Sequence, residues 1–93
     1  MTRKEIELKL ENGLLNKTIR YTPVGKDSVV GKMQRIFVQF TNGEVLITFM
    51  LGTKASLTRY ECDLKYFNEN LDILYGSTYT GDKRSVRRIL EED

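Results

Sequence analysis

Along "IFVQFTNGEVLITF", Ile36 to Phe49, hydrophobic and polar positions alternate on either side of an Asn-Gly pair. Asn-Gly between alternating strands is a strong hairpin signal, because both central residues of a type I′ turn need positive φ. With Asn42 and Gly43 as the turn, Thr41 faces Glu44, Phe40 faces Val45, Val38 faces Ile47 and Ile36 faces Phe49. Ile36, Val38, Phe40, Val45, Ile47 and Phe49 then share one face. At roughly 1.5–3 kcal/mol for each fully buried side chain, that face is a core. The opposite face carries Arg35, Phe37, Gln39 and Thr41 beside Glu44, Leu46, Thr48 and Met50. Phe37, Leu46 and Met50 make it half apolar, so a terminal helix or a partner is expected to use it.

Outside the hairpin the pattern is shorter-ranged. Thr2 and Glu5 have capping-box spacing, Ile6, Leu10 and Leu14 lie near one helical face, and Gly13 suits a helix end. These features predict a helix over 2–12, although Ile6, Leu8 and Leu10 also alternate with charged residues as in a strand. Thr18, Ile19, Tyr21 and Thr22 favour extended structure up to Pro23, and Gly25 with Asp27 supplies a turn before Val29 and Val30. Gly31, inside that next strand, marks an expected bulge or bend. In "SLTRYEC" the alternation predicts another strand, "DLKYFNEN" a tight helical turn, and "LDILY" a last strand. The strands fall at 17–23, 28–41, 44–51, 57–62 and 71–75. Leu57, Tyr60, Leu64, Phe67 and Leu71 also follow helical spacing, which leaves open a central helix at 56–68. "GSTYTGD" reads as a linker over 76–82, and Val86, Ile89 and Leu90 give a C-terminal helix at 83–91 one apolar face.

The expected class is α+β, mostly β, in a single domain over 1–93: helix 2–12, β core 17–75, linker and C-terminal helix. Five short antiparallel strands with one helical turn before the last resemble the plan of an SH3-like small barrel, or a barrel-like sheet, flanked by short helices. The resemblance is one of fold plan alone, since no motif carries residues across and the chain has no tryptophan. The alternative is an α+β sheet with the central helix at 56–68. Basic residues at the start of the C-terminal helix and acidic ones at its end oppose the helix dipole, so it should fray unless it docks.

Charge sharpens the picture only locally. The net is +2, but residues 1–43 carry eight basic and four acidic side chains, 44–75 three and five, and 76–93 four and four. Within 17–35, Lys17, Arg20, Lys26, Lys32 and Arg35 meet only Asp27, a cluster that serves as an electrostatic footprint or as ordinary solvated surface. A single cysteine, Cys62, makes no internal disulfide and fits a reducing cytoplasm. "MTRKEIELKLENG" places charges where an export signal needs an apolar core.

The residue inventory argues against most catalysis. Without histidine there is no Ser-His or Cys-His pair, and with one cysteine no zinc ligand set. Glu61, Asp63 and the tail "EED" lack calcium-loop spacing, and "PVGKDSVVGK" lacks Walker spacing. Cys62 sits between Glu61 and Asp63, which discourage its ionisation, so it reads as a small core hydrophobe. No cofactor, metal or catalytic residue is expected, and the chain reads as a non-enzymatic binding or regulatory module. Its candidate protein interface is Phe37, Leu46 and Met50, or an exposed strand edge; a homo-oligomer through the terminal helices is a further option. The alternative is nucleic-acid binding, through aromatic platforms flanked by basic side chains. Its candidates are Arg20, Tyr21, Lys32, Arg35, Arg59, Arg84, Arg87 and Arg88, although a tyrosine in a strand commonly packs in the core instead.

Overall fold

A computed structural model of the chain describes residues 2–53, 55–74 and 85–91. Helix α1 (Arg3–Leu14) is followed by strands β1 (Thr18–Tyr21), β2 (Val29–Thr41), β3 (Glu44–Thr53) and β4 (Ser56–Asp63). Helix α2 (Leu64–Asn70), strand β5 (Leu71–Ile73) and helix α3 (Ser85–Glu91) complete it. The strands form one antiparallel sheet in the order β4-β3-β2-β1-β5, open between β4 and β5 rather than closed into a barrel.

The hairpin register is the one that the Asn-Gly turn dictates. Asn42 and Gly43 take φ of 51° and 78°, and Thr41↔Glu44, Phe40↔Val45, Val38↔Ile47 and Ile36↔Phe49 are partners. Ile36, Val38, Ile47 and Phe49 are buried, but Phe40 is 51% exposed and Val45 only partly covered. The core face therefore stops short of the turn. Arg3, the first residue of α1, lies level with Val38 and the helix runs from there toward Met33, so it stops two residues short of Phe40.

Helix α1 has its complete capping box, with Glu5 N donating to Thr2 Oγ1 at 3.2 Å and Thr2 N to Glu5 Oε1 at 3.4 Å. It buries Ile6, Leu10 and Leu14, and the strand reading of this segment does not hold. Nor does Gly13 end it: the helix runs through Gly13, and the left-handed residue is Asn16 at φ 66°. Gly13 serves packing instead, because a Cβ there would lie 2.6–2.9 Å from three carbons of Ile89 in α3. Helix α3 docks on α1 by this contact and by Lys9 Nζ donating to Leu90 O at 3.3 Å, and it also touches α2 and β5. It settles on its own domain, away from the half-apolar hairpin face, with Val86 fully buried.

The central helix at 56–68 is absent. Residues 56–63 pair with β3 from Thr53↔Ser56 to Leu46↔Asp63, and Tyr60 points inward to stack on Phe49. Helical spacing places Leu57 in the core, yet it is 42% exposed, because the alternation of the strand turns it outward. Only Leu64–Asn70 is helical, capped by Asp63, whose Oδ1 accepts from Tyr66 N at 2.7 Å.

Strand β2 serves two neighbours. Its first part pairs with β1 and its remainder with β3, with a bulge between Met33 and Arg35. Gly31 and Gly52 meet at this bend, where a Cβ on Gly31 would be 3.0 Å from Gly52 N. Beyond the bend the edge of β2 that faces away from β3 is covered by α1. Val38 N donates to Glu7 Oε2 at 2.9 Å, and Arg3 Nη1 donates to Val38 O at 3.2 Å. An Arg-Glu pair at i,i+4 thus satisfies strand groups that would otherwise stay open. The linker 76–82 and residue 75 lie outside the described residues, as do the first two positions of the expected 83–91 helix.

Candidate functional site

The register of the three-strand meander places three rows of side chains on the face opposite the core. The β2 row is Arg35, Phe37 and Gln39; opposite them on β3 lie Met50, Thr48 and Leu46; beyond these on β4 lie Arg59, Glu61 and Asp63. Thr48, at the centre, is only 8% exposed, covered by the larger side chains around it. Phe37 is 42% exposed, while Leu46 and Met50 are half-buried. The structure thus brings Phe37, Leu46 and Met50 together on one face, with charge along its rim. Arg59 Nη2 and Glu61 Oε2 lie 3.1 Å apart on that rim, an exposed pair of the kind worth about 0–1 kcal/mol.

The basic and aromatic candidates do not converge in the same way. Tyr21 is 2% exposed and offers no ring face to a base: its ring packs edge-on against Phe49, Tyr60 and Tyr66. The stacking role expected of it is therefore corrected to a core role. Arg20 faces Asp72 across the β1–β5 ladder at 3.6 Å, and Arg59 is engaged with Glu61. Tyr66 is half-buried, its hydroxyl donating to Thr22 O. Lys32 and Arg35 remain exposed on β2. Arg84 lies outside the described residues, and Arg87 and Arg88 belong to α3 with side chains outside that description.

Sequence reasoning missed a cleft of about 390 Å³ lined by Val30, Gly31, Lys32, Gln34, Gly52 and Thr53. It forms because two glycines meet at the β2 bend and leave space that side chains would fill. Gly31 was a visible signal for the bend, whereas its meeting with Gly52 depends on the register of β3. Gln34 Nε2 donates to Gly52 O at 2.9 Å along one wall. Among the described residues no three His, Cys, Asp or Glu side chains are grouped as metal ligands, and no helix is long and apolar enough to cross a membrane.

Cys62 packs half-buried against the core, and burial pushes its thiol up to about 11, with Asp63 and Glu61 adding to the effect and a Tyr21 hydrogen bond opposing it. Burial raises Tyr21 in the same direction. A group that holds its proton more tightly when folded contributes stability fully present below its unfolded value, here 9.0, and lost as pH rises through about 11. Between these limits wild type is expected to lose about 1 kcal/mol more than Cys62→Val, after allowance for the exposed part of the thiol. Urea midpoints of the two proteins across that range measure it, and equal losses would refute the assignment. No known protein family, no curated protein and no solved structure matches this chain.

Proposed function

We propose that the protein is a non-enzymatic binding or regulatory module that docks a protein partner on the outer face of β2, β3 and β4. The single observation that supports this reading is Phe37, a large apolar side chain exposed beside half-buried Leu46 and Met50. Isolated apolar residues on a surface need no explanation, but an aromatic anchor beside apolar neighbours and inside a charged rim has the anatomy of an interface core. The fitting partner inserts an apolar side chain beside Phe37 and meets Arg35, Arg59 and Glu61 with charges of both signs. In plan the fold is an SH3-like small barrel left open between β4 and β5, and the reading places the protein in the cytoplasm.

The nucleic-acid alternative is weaker on these grounds. Its stacking residue Tyr21 is in the core and two of its arginines face carboxylates, leaving Lys32 and Arg35 among the candidates whose side chains are described. Comparing wild type and Phe37→Ala as baits in extract of the native cell separates the two. Loss of one captured protein by at least tenfold, with an unchanged thermal midpoint, is the expected result, since a central aromatic anchor is worth about 2 kcal/mol or more. Capture that survives Phe37→Ala overturns the proposal. Capture of nucleic acid that falls steeply with added salt favours the alternative instead.

A further inference from the structure

We infer that the free edge of β4 pairs with the same edge of a second copy of the chain, in an antiparallel register centred on Tyr60. The ladder itself shows which groups are free. Thr41 and Glu44 flank the two-residue turn and so form a hydrogen-bonded pair, after which bonding alternates along the ladder. Even-numbered residues of β3 therefore turn their backbone groups to β2 and odd-numbered ones to β4. Gln34 Nε2 donating to Gly52 O, on the β2 side, agrees with this parity. Through Phe49↔Tyr60 and Leu51↔Thr58, even-numbered residues of β4 bond β3, and Leu57, Arg59 and Glu61 turn N–H and C=O outward.

The other edges are covered in part. On β2, Arg3 and Glu7 take the outward groups of Val38. On β5, Leu71, Asp72 and Ile73 are all buried and α3 lies against the strand. Among the described residues nothing comparable protects β4. Its eight residues keep an unbroken register with β3 and contain no proline, lysine or bulge, three of the devices that keep an edge from pairing.

Charge selects both the occupant and the register. Outward-facing residues must meet outward-facing residues, so the two-fold axis falls on a residue of β4. Centred on Arg59 or on Glu61, the pairing sets like charges directly opposite each other. Centred on Cys62, it sets Glu61 against Asp63 of the second copy. Centred on Tyr60, it sets Arg59 against Glu61 of the second copy and Glu61 against its Arg59, each pair exchanging backbone bonds. The strand is thus complementary to itself in one register, which is the condition for a closed two-fold interface. Asp63 is engaged as the cap of α2, so the ladder ends there. The pairing would run the two outer faces into one continuous sheet, but it does not depend on what Phe37 binds, and its readout is mass.

Sedimentation equilibrium of the full chain is expected to give twice 10.8 kDa. Arg59→Glu and Glu61→Arg should each weaken self-association at least tenfold while keeping the wild-type circular dichroism spectrum. An equimolar mixture of the two variants should associate again, because each then opposes the other with unlike charge. Thr58→Cys tests the register separately, since position 58 lies opposite Cys62 of the second copy. Mild oxidation should cross-link that variant into dimers and leave wild type uncross-linked. A wild-type monomer at the highest concentration reached, or a dimer that survives both charge reversals, overturns the proposal. So does a mixture that remains monomeric.

Discussion

Phe49→Ala is expected to lose about 3–5 kcal/mol of stability, the usual cost of truncating a buried phenylalanine. Phe49 is fully buried, and its ring meets those of Tyr21, Tyr60 and Phe67 at centroid distances of 4.8, 5.6 and 5.2 Å. These neighbours come from β1, β4 and α2, so one side chain ties three elements to β3 and the void cannot close by moving any one of them. A domain of 93 residues is expected to have about 5–14 kcal/mol in total. The substitution therefore removes a large part of it and lowers the melting midpoint by roughly 12–40 °C. Phe40→Ala is the control. It comes from the same face of the same hairpin, but its ring is half exposed, so the loss should stay below about 1 kcal/mol. Urea denaturation with an unchanged m-value decides the matter. If the two variants lose equal stability, the core does extend to the turn.

Gly52→Ala is expected to be nearly as damaging, for a reason that burial does not show. Gly52 has φ of 134°, and a Cβ there would collide with the carbonyl oxygen of Ser56. A side chain in that backbone region costs about 1–3 kcal/mol by itself. The overlap adds to it, because the obstructing atom is backbone and cannot swing aside. Relief requires the β3–β4 hairpin to shift, which also disturbs the approach of Gly31 and the Gln34 bond to Gly52. Gly43→Ala offers the comparison. Its φ is 78° with no atom within 4 Å of the added carbon, so only the left-handed penalty of about 1–2 kcal/mol applies. Equal thermal losses in the two variants would show that the hairpin relaxes freely.

Much of this architecture is legible in the chain because it is local. The turn at Asn42-Gly43 sets the register of two strands without reference to anything else, and the Thr2–Glu5 box needs only one helical turn. The strands up to residue 51 follow from alternation bounded by turn residues, whereas 56–68 reads as strand and turn or as one helix until its pairing with β3 decides. What depends on reach is not legible in that way. Whether Phe40 is covered depends on where α1 begins relative to Val38, and whether Gly13 ends a helix or receives one depends on Ile89, far along the chain. Tyr21 shows the same limit for the candidate site, since a tyrosine beside an arginine reads equally as platform or core until β3, β4 and α2 close around it. Phe37, Leu46 and Met50 were legible together because a single hairpin places them.

The docking of α3 on α1 also has a consequence for the order of events during synthesis. Gly13 and Ile89 are separated by 76 positions (89 − 13), and their contact closes over everything made between them. At about 5–20 residues per second the ribosome takes roughly 4–15 s to cover that interval. Throughout it the groove at Gly13 is bare, while the β2–β3 hairpin and the rest of the sheet are still being made. The packing of α3 on α1 thus waits on translation itself, and a nascent chain carries an uncovered helix face until Ile89 emerges.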